Sequence, residues 1–245
     1  MQKAIETVTA AILVIGDEIL SGRIKDKNIG YIAEHLEQNA IDVKEVRIVP
    51  DEADEIIDAI RILKAKYNYL FTTGGIGPTH DDITADCVAA AFNVAIDVRE
   101  DAVEMMLNKY KREDLNKARL RMARIPEGAS LVNNPISFAP GFQLDNVFVM
   151  AGVPQVMHAM LEDILPKLAK GKHYLQESFD TNLKEGDLSK PLGEIAQKYS
   201  AVSFGSYPTY REGKFTTKLV MRTKNEQDFK AAKIDMLAMI ERLSE

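Results

Sequence analysis

The stretch that most limits how this chain folds is Thr72-Thr73-Gly74-Gly75-Ile76-Gly77-Pro78-Thr79-His80-Asp81-Asp82-Ile83-Thr84. It follows the apolar run Tyr69-Leu70-Phe71 and precedes apolar residues at helical spacing: Ile83, Cys87, Val88, Ala91 and Phe92. The order is strand, glycine-rich turn, helix. Closely spaced glycines at 74, 75 and 77 leave backbone N–H groups uncovered and let a ligand approach the main chain. The helix that follows turns the positive end of its dipole toward the same spot. A phosphate or diphosphate suits such a place, although the stretch matches neither GxxxxGK(S/T) nor GxGxxG. Glycine is also needed simply to turn a chain, so the functional reading comes from Asp81 and Asp82. They would repel an anion there, and a hard divalent cation bridging carboxylate and phosphate oxygens removes the conflict.

The flanking sequence sets that turn in a larger order. Residues 8–15 form an apolar, β-branched run, as expected of a strand buried on both faces, and end in Gly16-Asp17-Glu18. Helical spacing follows at Ile29, Ile32, Ala33 and Leu36, with Asn28 in position to cap it. A second strand over 43–49 stops at Pro50-Asp51-Glu52, and a helix carrying Ile56, Ile60 and Leu63 leads to the strand before the glycine turn. This strand-helix alternation predicts parallel neighbouring strands with helices on both faces. Ligands in such sheets bind beyond the carboxyl ends of the strands, so Asp17, Glu18, Asp51 and the glycine turn are expected on one rim.

Residues 97–125 read as helical and charged, a solvated face from which Lys117, Arg119 or Arg121 could lean toward phosphates. Residues 133–142 read as a loop between extended pieces, 147–150 as a strand, and the stretch after Pro154 as a helix with a methionine-rich core face. A boundary at Gly171 divides the chain into domains 1–170 and 171–245. The second shows a βαββα, KH-like order with Gly205-Ser206-Tyr207-Pro208 as a tight turn and no GxxG loop.

Composition excludes several classes. A net charge of −6 argues against broad nucleic-acid binding. No apolar run reaches a membrane span, and residues 1–9 carry no leader pattern. The single cysteine, Cys87, reads as a small core hydrophobe and agrees with a reducing cytoplasm. The histidines show no metal-ligand spacing; His80 alone lies inside the key turn.

With the long central motif, Gly16-Asp17-Glu18-Ile19-Leu20-Ser21-Gly22, Val49-Pro50-Asp51-Glu52, Ala139-Pro140-Gly141-Phe142 and Gly152-Val153-Pro154 on view, the chain resembles the molybdopterin-binding (MogA/MoaB-like) domain family. It is most similar to the first two domains of the CinA family and to the related domain of eukaryotic FAD synthases. The resemblance implies a three-layer α/β/α domain with a mostly parallel sheet, a small α+β companion, and a homo-oligomer, dimer or trimer. It makes Asp51 and Asp82 the catalytic and metal-binding residues. The ligand set it implies is Gly16, Asp17, Glu18, Thr73, Gly74, Gly75, Gly77, Pro78, Asp86, Ser137 and Gly141. Implied cofactors are Mg²⁺ or a similar divalent cation, with K⁺ and molybdopterin as alternatives. Ser137-Phe138 and Ala151 depart from the usual CinA pattern and bear on the base or sugar pocket. The nicotinamide-mononucleotide deamidase domain of full-length CinA has no counterpart in these 245 residues, so that activity is not expected.

Three functions are compatible with these residues: metal-dependent hydrolysis of a nucleotide diphosphate such as ADP-ribose or FAD, adenylyl transfer to molybdopterin, and non-catalytic nucleotide or pterin binding. The companion domain and the departures from the CinA pattern favour the first over the second. A valine at Gly75 is expected to block the ligand and leave the fold intact.

Overall fold

The computed structural model describes residues 7–211 and 214–244; the leader reading over 1–9 lies largely outside them. Two compact units divide at Gly171/Lys172. In the first, β1 (Val8–Ile15) leads to the short α1 (Asp17–Leu20) and then α2 (Asn28–Gln38). Next come β2 (Ile41–Val49), α3 (Ala53–Lys66), β3 (Tyr69–Thr73) and α4 (Thr84–Phe92). After β4 (Ile96–Val98), α5 (Glu100–Met106), α6 (Lys117–Arg121) and β5 (Arg124–Pro126), the chain runs through β6 (Ser130–Val132), β7 (Gly141–Leu144), β8 (Val147–Met150) and α7 (Pro154–Ile164).

The main sheet has the order β2-β1-β3-β8-β7-β6. β2, β1, β3 and β8 are parallel, while β7 runs antiparallel to both β8 and β6. Each face is closed by its own apolar layer. Leu13 and Leu70 pack with Ile56, Ile60 and Leu63 of α3 and Val88 of α4. On the other face, Ile12, Phe71 and Phe148 pack with Ile32 and Leu36 of α2 and Met157, Met160 and Ile164 of α7. Phe71 and Phe148 stack with centroids 5.2 Å apart, a contact worth about 1 kcal/mol beyond area burial. The α/β/α architecture expected from the alternating pattern is present.

Strand register fixes the site. Ile15 pairs with Val49, Val14 with Thr73, and Thr73 with Met150. The four central strands therefore end level, and their following loops emerge at one rim. β1 feeds α2 on one face and its neighbour β3 feeds α4 on the other, which opens a crevice between them.

Residues 97–125 are more broken than their periodicity predicts. Val103 and Met106 are buried at helical spacing, but α5 ends at Met106, and Asn116 starts a separate turn by accepting from Arg119 N at 3.0 Å. The short strands β4 and β5 pair across this stretch, Ile96 opposite Pro126. Three-residue strands with distant partners leave little alternation to read.

The second unit contains β9 (Leu175–Thr181), α8 (Glu185–Lys198), β10 (Ser203–Arg211), β11 (Lys214–Thr223) and α9 (Glu226–Ser244). Its antiparallel sheet, ordered β10-β11-β9, covers Leu188, Leu219, Met221, Met236 and Met239. Gly205-Ser206-Tyr207-Pro208 lies inside β10 and forms no tight turn. β10 is an edge strand, where proline's missing N–H removes no necessary ladder bond.

Candidate functional site

The glycine turn is built against the ends of β1 and β8. Gly74 N donates to Met150 O at 3.2 Å, and Gly74 takes φ +108°. A Cβ there would lie 2.1 Å from Ile15 O, so only glycine fits. Thr84 closes the turn from the far side: its N–H reaches Gly75 O at 3.0 Å and its hydroxyl reaches Gly74 O at 2.9 Å. Among the described residues, nothing accepts from the N–H groups of Gly75, Ile76 and Gly77. Consecutive uncommitted amides beside a helix start form an anion-binding concavity.

Those residues line a cavity of about 650 Å³ on the strand rim, within the size range of small-ligand sites. Gly16, Glu18, Asp51, Gly74, Gly75, Gly77, Pro78, Asp82 and Ser137 from the sequence-derived set all line it. So do Asp81 and an apolar wall that includes Ala151, Val153, Pro154, Val156 and Met160.

The other four residues of the set do not line it, although Asp86 borders a narrow cleft beside it with Gly75, Ile76, Gly77 and Asp82. Asp17 is exposed, because α1 turns its side chain outward while Glu18 faces the cavity. Thr73 is buried beneath the rim, and its hydroxyl donates to Ala151 O at 2.9 Å. Asp86 is held by Arg124 through two 2.7 Å contacts. Gly141 lets β7 approach β8, since a Cβ would meet Val149 O at 2.4 Å. His80 has a side chain 99% exposed and lies outside the cavity wall. Of the basic residues near α6, Arg121 reaches the turn, donating to Asp82 O at 3.0 Å.

Gly75 also behaves differently from expectation. Its φ is +67°, and a Cβ would stand 2.2 Å from the buried Thr84 hydroxyl. Gly75→Val therefore distorts the turn itself before it meets any ligand.

The two aspartates assigned to chemistry are held by local bonds. Asp51 Oδ2 accepts from Asp17 N at 3.0 Å, tying the end of β2 to the end of β1. Asp82 Oδ2 accepts from Thr79 N at 2.8 Å and from the Thr79 hydroxyl, which folds the loop back on Gly77. Burial pushes the Asp51 carboxyl pKa up, with the charges of Asp17, Glu18 and Asp81 adding and the Asp17 N–H opposing. Cys87, buried on α4, has its thiol raised to about 11 chiefly by desolvation and plays no part in the cavity.

The Asp51 environment gives a pH-dependent expectation. A raised folded-state pKa means that the folded protein binds this proton more tightly than the unfolded chain. The parent protein thus loses stability as pH rises from the unfolded carboxyl value to the folded one, and the loss is complete above it. Asp51→Asn does not titrate, and its amide oxygen can keep the Asp17 bond. The variant should be at least as stable as the parent near neutrality, with its relative advantage shrinking in acid. Thermal melts between about pH 3 and pH 8 test this. A difference that stays constant with pH would mean that the Asp51 pKa is not shifted by folding, and a disadvantage of the variant that grows with pH would mean that the Asp17 bond outweighs burial and repulsion.

Sequence position missed Asn28. It does not cap α2; Asp26 does, its Oδ1 accepting from Asn28 N at 3.1 Å and Ile29 N at 2.8 Å. Asn28 is instead turned inward on the cavity wall. The Asp two positions before it was the available signal.

No group of three or more His, Cys, Asp or Glu among the described residues is arranged to hold a metal. No helix among them is long and apolar enough to cross a membrane.

Comparisons with known proteins agree with this anatomy. Residues 11–170 match the family model described as "Probable molybdopterin binding domain", and residues 173–244 match "FAD synthase, middle domain". A protein of Archaeoglobus fulgidus is 34% identical over 197 residues, covering 80% of this chain and 84% of that one. A probable FAD synthase of Caenorhabditis elegans is 30% identical over 249 residues, covering 91% of this chain and 48% of that protein. This chain therefore spans about half of that synthase. The crystal structure of the CinA protein of Thermoplasma acidophilum, a protein of unknown function, superimposes with a TM-score of 0.62 at 32% identity, covering 66% of this chain and 98% of that one.

Proposed function

The chain belongs to the CinA-like molybdopterin-binding-domain family, and on that premise we propose that its rim cavity binds and hydrolyses a nucleotide diphosphate of the ADP-ribose or FAD type. The observation that carries this reading is the run of uncommitted N–H groups at Gly75, Ile76 and Gly77 inside a cavity that also holds carboxylates. The diphosphate takes the amides, and the nucleoside extends along the apolar wall. The synthase relative is named for a product that contains adenosine diphosphate, which favours an adenine dinucleotide.

The carboxylates fit a shared cation better than an all-protein cage. Mg²⁺ is commonly held by one or two carboxylates together with substrate phosphates and water. Asp51 and Asp82 supply that number, and both line the cavity together with Glu18 and Asp81, a concentration of carboxylates that a cation would relieve. When bound there, the cation supplies charge neutralisation for the phosphates and acidifies a nearby water. The chain's own residues do the rest. The glycine-turn amides hold the diphosphate still and stabilise charge that builds on its oxygens. Asp51 accepts the proton of the attacking water. The water oxygen bonds to one phosphorus, the bridging P–O bond breaks, and the bridging oxygen leaves with the second phosphate, giving two monophosphates.

Adenylyl transfer to a pterin is the second reading, favoured by the family's description. In that case the nucleophile is a pterin phosphate rather than water. One experiment addresses both. ADP-ribose or FAD is expected to raise the melting temperature more with Mg²⁺ than with excess EDTA, and chromatography should show AMP released. Binding that ignores EDTA would remove the cation. A nucleotide turned over only when a pterin is added would replace hydrolysis by transfer.

A further inference from the structure

Asn28 is the first residue of α2 and is 5% exposed on the cavity wall. Its neighbours dictate which way its amide faces. Gly152 O can only accept, and it takes one Nδ2 hydrogen at 2.8 Å. Thr73 Oγ1 gives its own hydrogen to Ala151 O, so toward Asn28 it too can only accept, at 2.9 Å. Both Nδ2 hydrogens are committed. Turning the amide over would set oxygen against oxygen twice. Asn28 Oδ1 is left buried with no hydrogen-bond partner among the described residues. Buried acceptors in folded proteins almost always have a donor.

The surroundings indicate what that donor belongs to. Ala151, Val153, Pro154, Val156 and Met160 form an apolar wall on this side, and Lys25 and Lys27, just before Asn28 in the chain, also line the cavity. Asn28 sits in the layer of α2 and α7, whereas the glycine turn leads into α4 on the opposite face of the sheet. A ligand whose phosphates lie on Gly75–Gly77 therefore carries its other end across the rim toward Asn28. An apolar wall beside a buried, unpartnered acceptor fits a flat ring bearing an N–H.

We propose that Asn28 determines specificity by accepting, through Oδ1, a hydrogen bond from the exocyclic amino group of the ligand's adenine ring. This rests on the nucleotide reading of the cavity. The test is calorimetric titration, with Mg²⁺ present, of ADP-ribose and of its analogue carrying unsubstituted purine in place of adenine. The wild-type protein should prefer the amino ligand by about tenfold, the effect of one buried hydrogen bond. In Asn28→Ala the preference should fall to about onefold. Both ligands can weaken there through the lost ties to Thr73 and Gly152, but a merely structural Asn28 would weaken them equally and leave the ratio unchanged. A preference that survives in the variant, or is absent in the wild type, overturns the assignment. Should Asn28→Ala fail to fold, the wild-type ratio and a third ligand decide. The hypoxanthine analogue sets a carbonyl where the amine was, and it should bind wild type more weakly than the purine analogue; equal or tighter binding overturns the proposal. ADP-ribose that does not bind wild type at all would sink the nucleotide reading and this assignment together. Binding without discrimination would sink Asn28 alone.

Discussion

Asp51→Asn and Asp82→Asn are each expected to lower diphosphate hydrolysis by about 10²-fold or more, the scale of a lost acid–base or charge contribution. The substitution keeps shape and removes charge. At Asp82 both bonds from Thr79 end on one oxygen, so an asparagine Oδ1 in the same place keeps the loop folded over Gly77. At Asp51 the single bond from Asp17 N survives in the same way. Stability without ligand should change little at Asp82 and should not fall at Asp51, where burial and the nearby charges of Asp17, Glu18 and Asp81 disfavour the carboxylate. A structural role predicts the reverse, a stability loss of about 0.5–2 kcal/mol with nearly normal specific activity in the folded fraction. Melting curves and diphosphate hydrolysis on both variants separate these outcomes. Full turnover in a folded Asp51→Asn protein would take that residue out of the chemistry.

Gly74→Ala should cost about 3 kcal/mol of stability, a large effect for one methyl group. The cause is steric and local. The added Cβ would stand 2.1 Å from Ile15 O, a main-chain atom at the end of the central strand β1, which cannot swing aside as a side chain can. The positive φ of +108° adds backbone strain for any L side chain. Relief requires the turn to lift off the sheet, which breaks the bond from Gly74 N to Met150 O and moves the following amides. Urea unfolding measures the cost, and ligand titration of the folded fraction measures the displacement of the amides. Parent-like values in both would show that the turn is not packed against β1 as described.

Much of this was legible in the chain because it depends on pattern. The continuous apolar run at 8–15 could only be a doubly buried strand, and the alternation after it fixed which ends share a rim. Glycines 74, 75 and 77 announced a turn that needs unusual backbone angles or close approach, and the first two take them. What escaped depends on which way a single side chain faces. Asp17 and Glu18 are adjacent and chemically alike, yet one turn of α1 sends Asp17 to solvent and leaves Glu18 on the cavity. Asn28 has the composition of a cap, but Asp26 holds the helix start and frees it for Thr73 and Gly152, partners 45 and 124 residues away. Asp86 looked like a ligand residue beside Asp82, and Arg124 neutralises it from a strand that periodicity did not reveal. At 205–208 the glycine and proline signalled a turn, but an edge strand tolerates both.

The diphosphate is proposed to rest on the amides of Gly75, Ile76 and Gly77. Amide-resolved NMR of the ¹⁵N-labelled protein tests it most directly, by titration with ADP-ribose in the presence of Mg²⁺. These three amide protons should move downfield together and saturate with the binding curve, as N–H groups do on donating to phosphate oxygen. Saturable binding that leaves all three unmoved while other amides shift would contradict it.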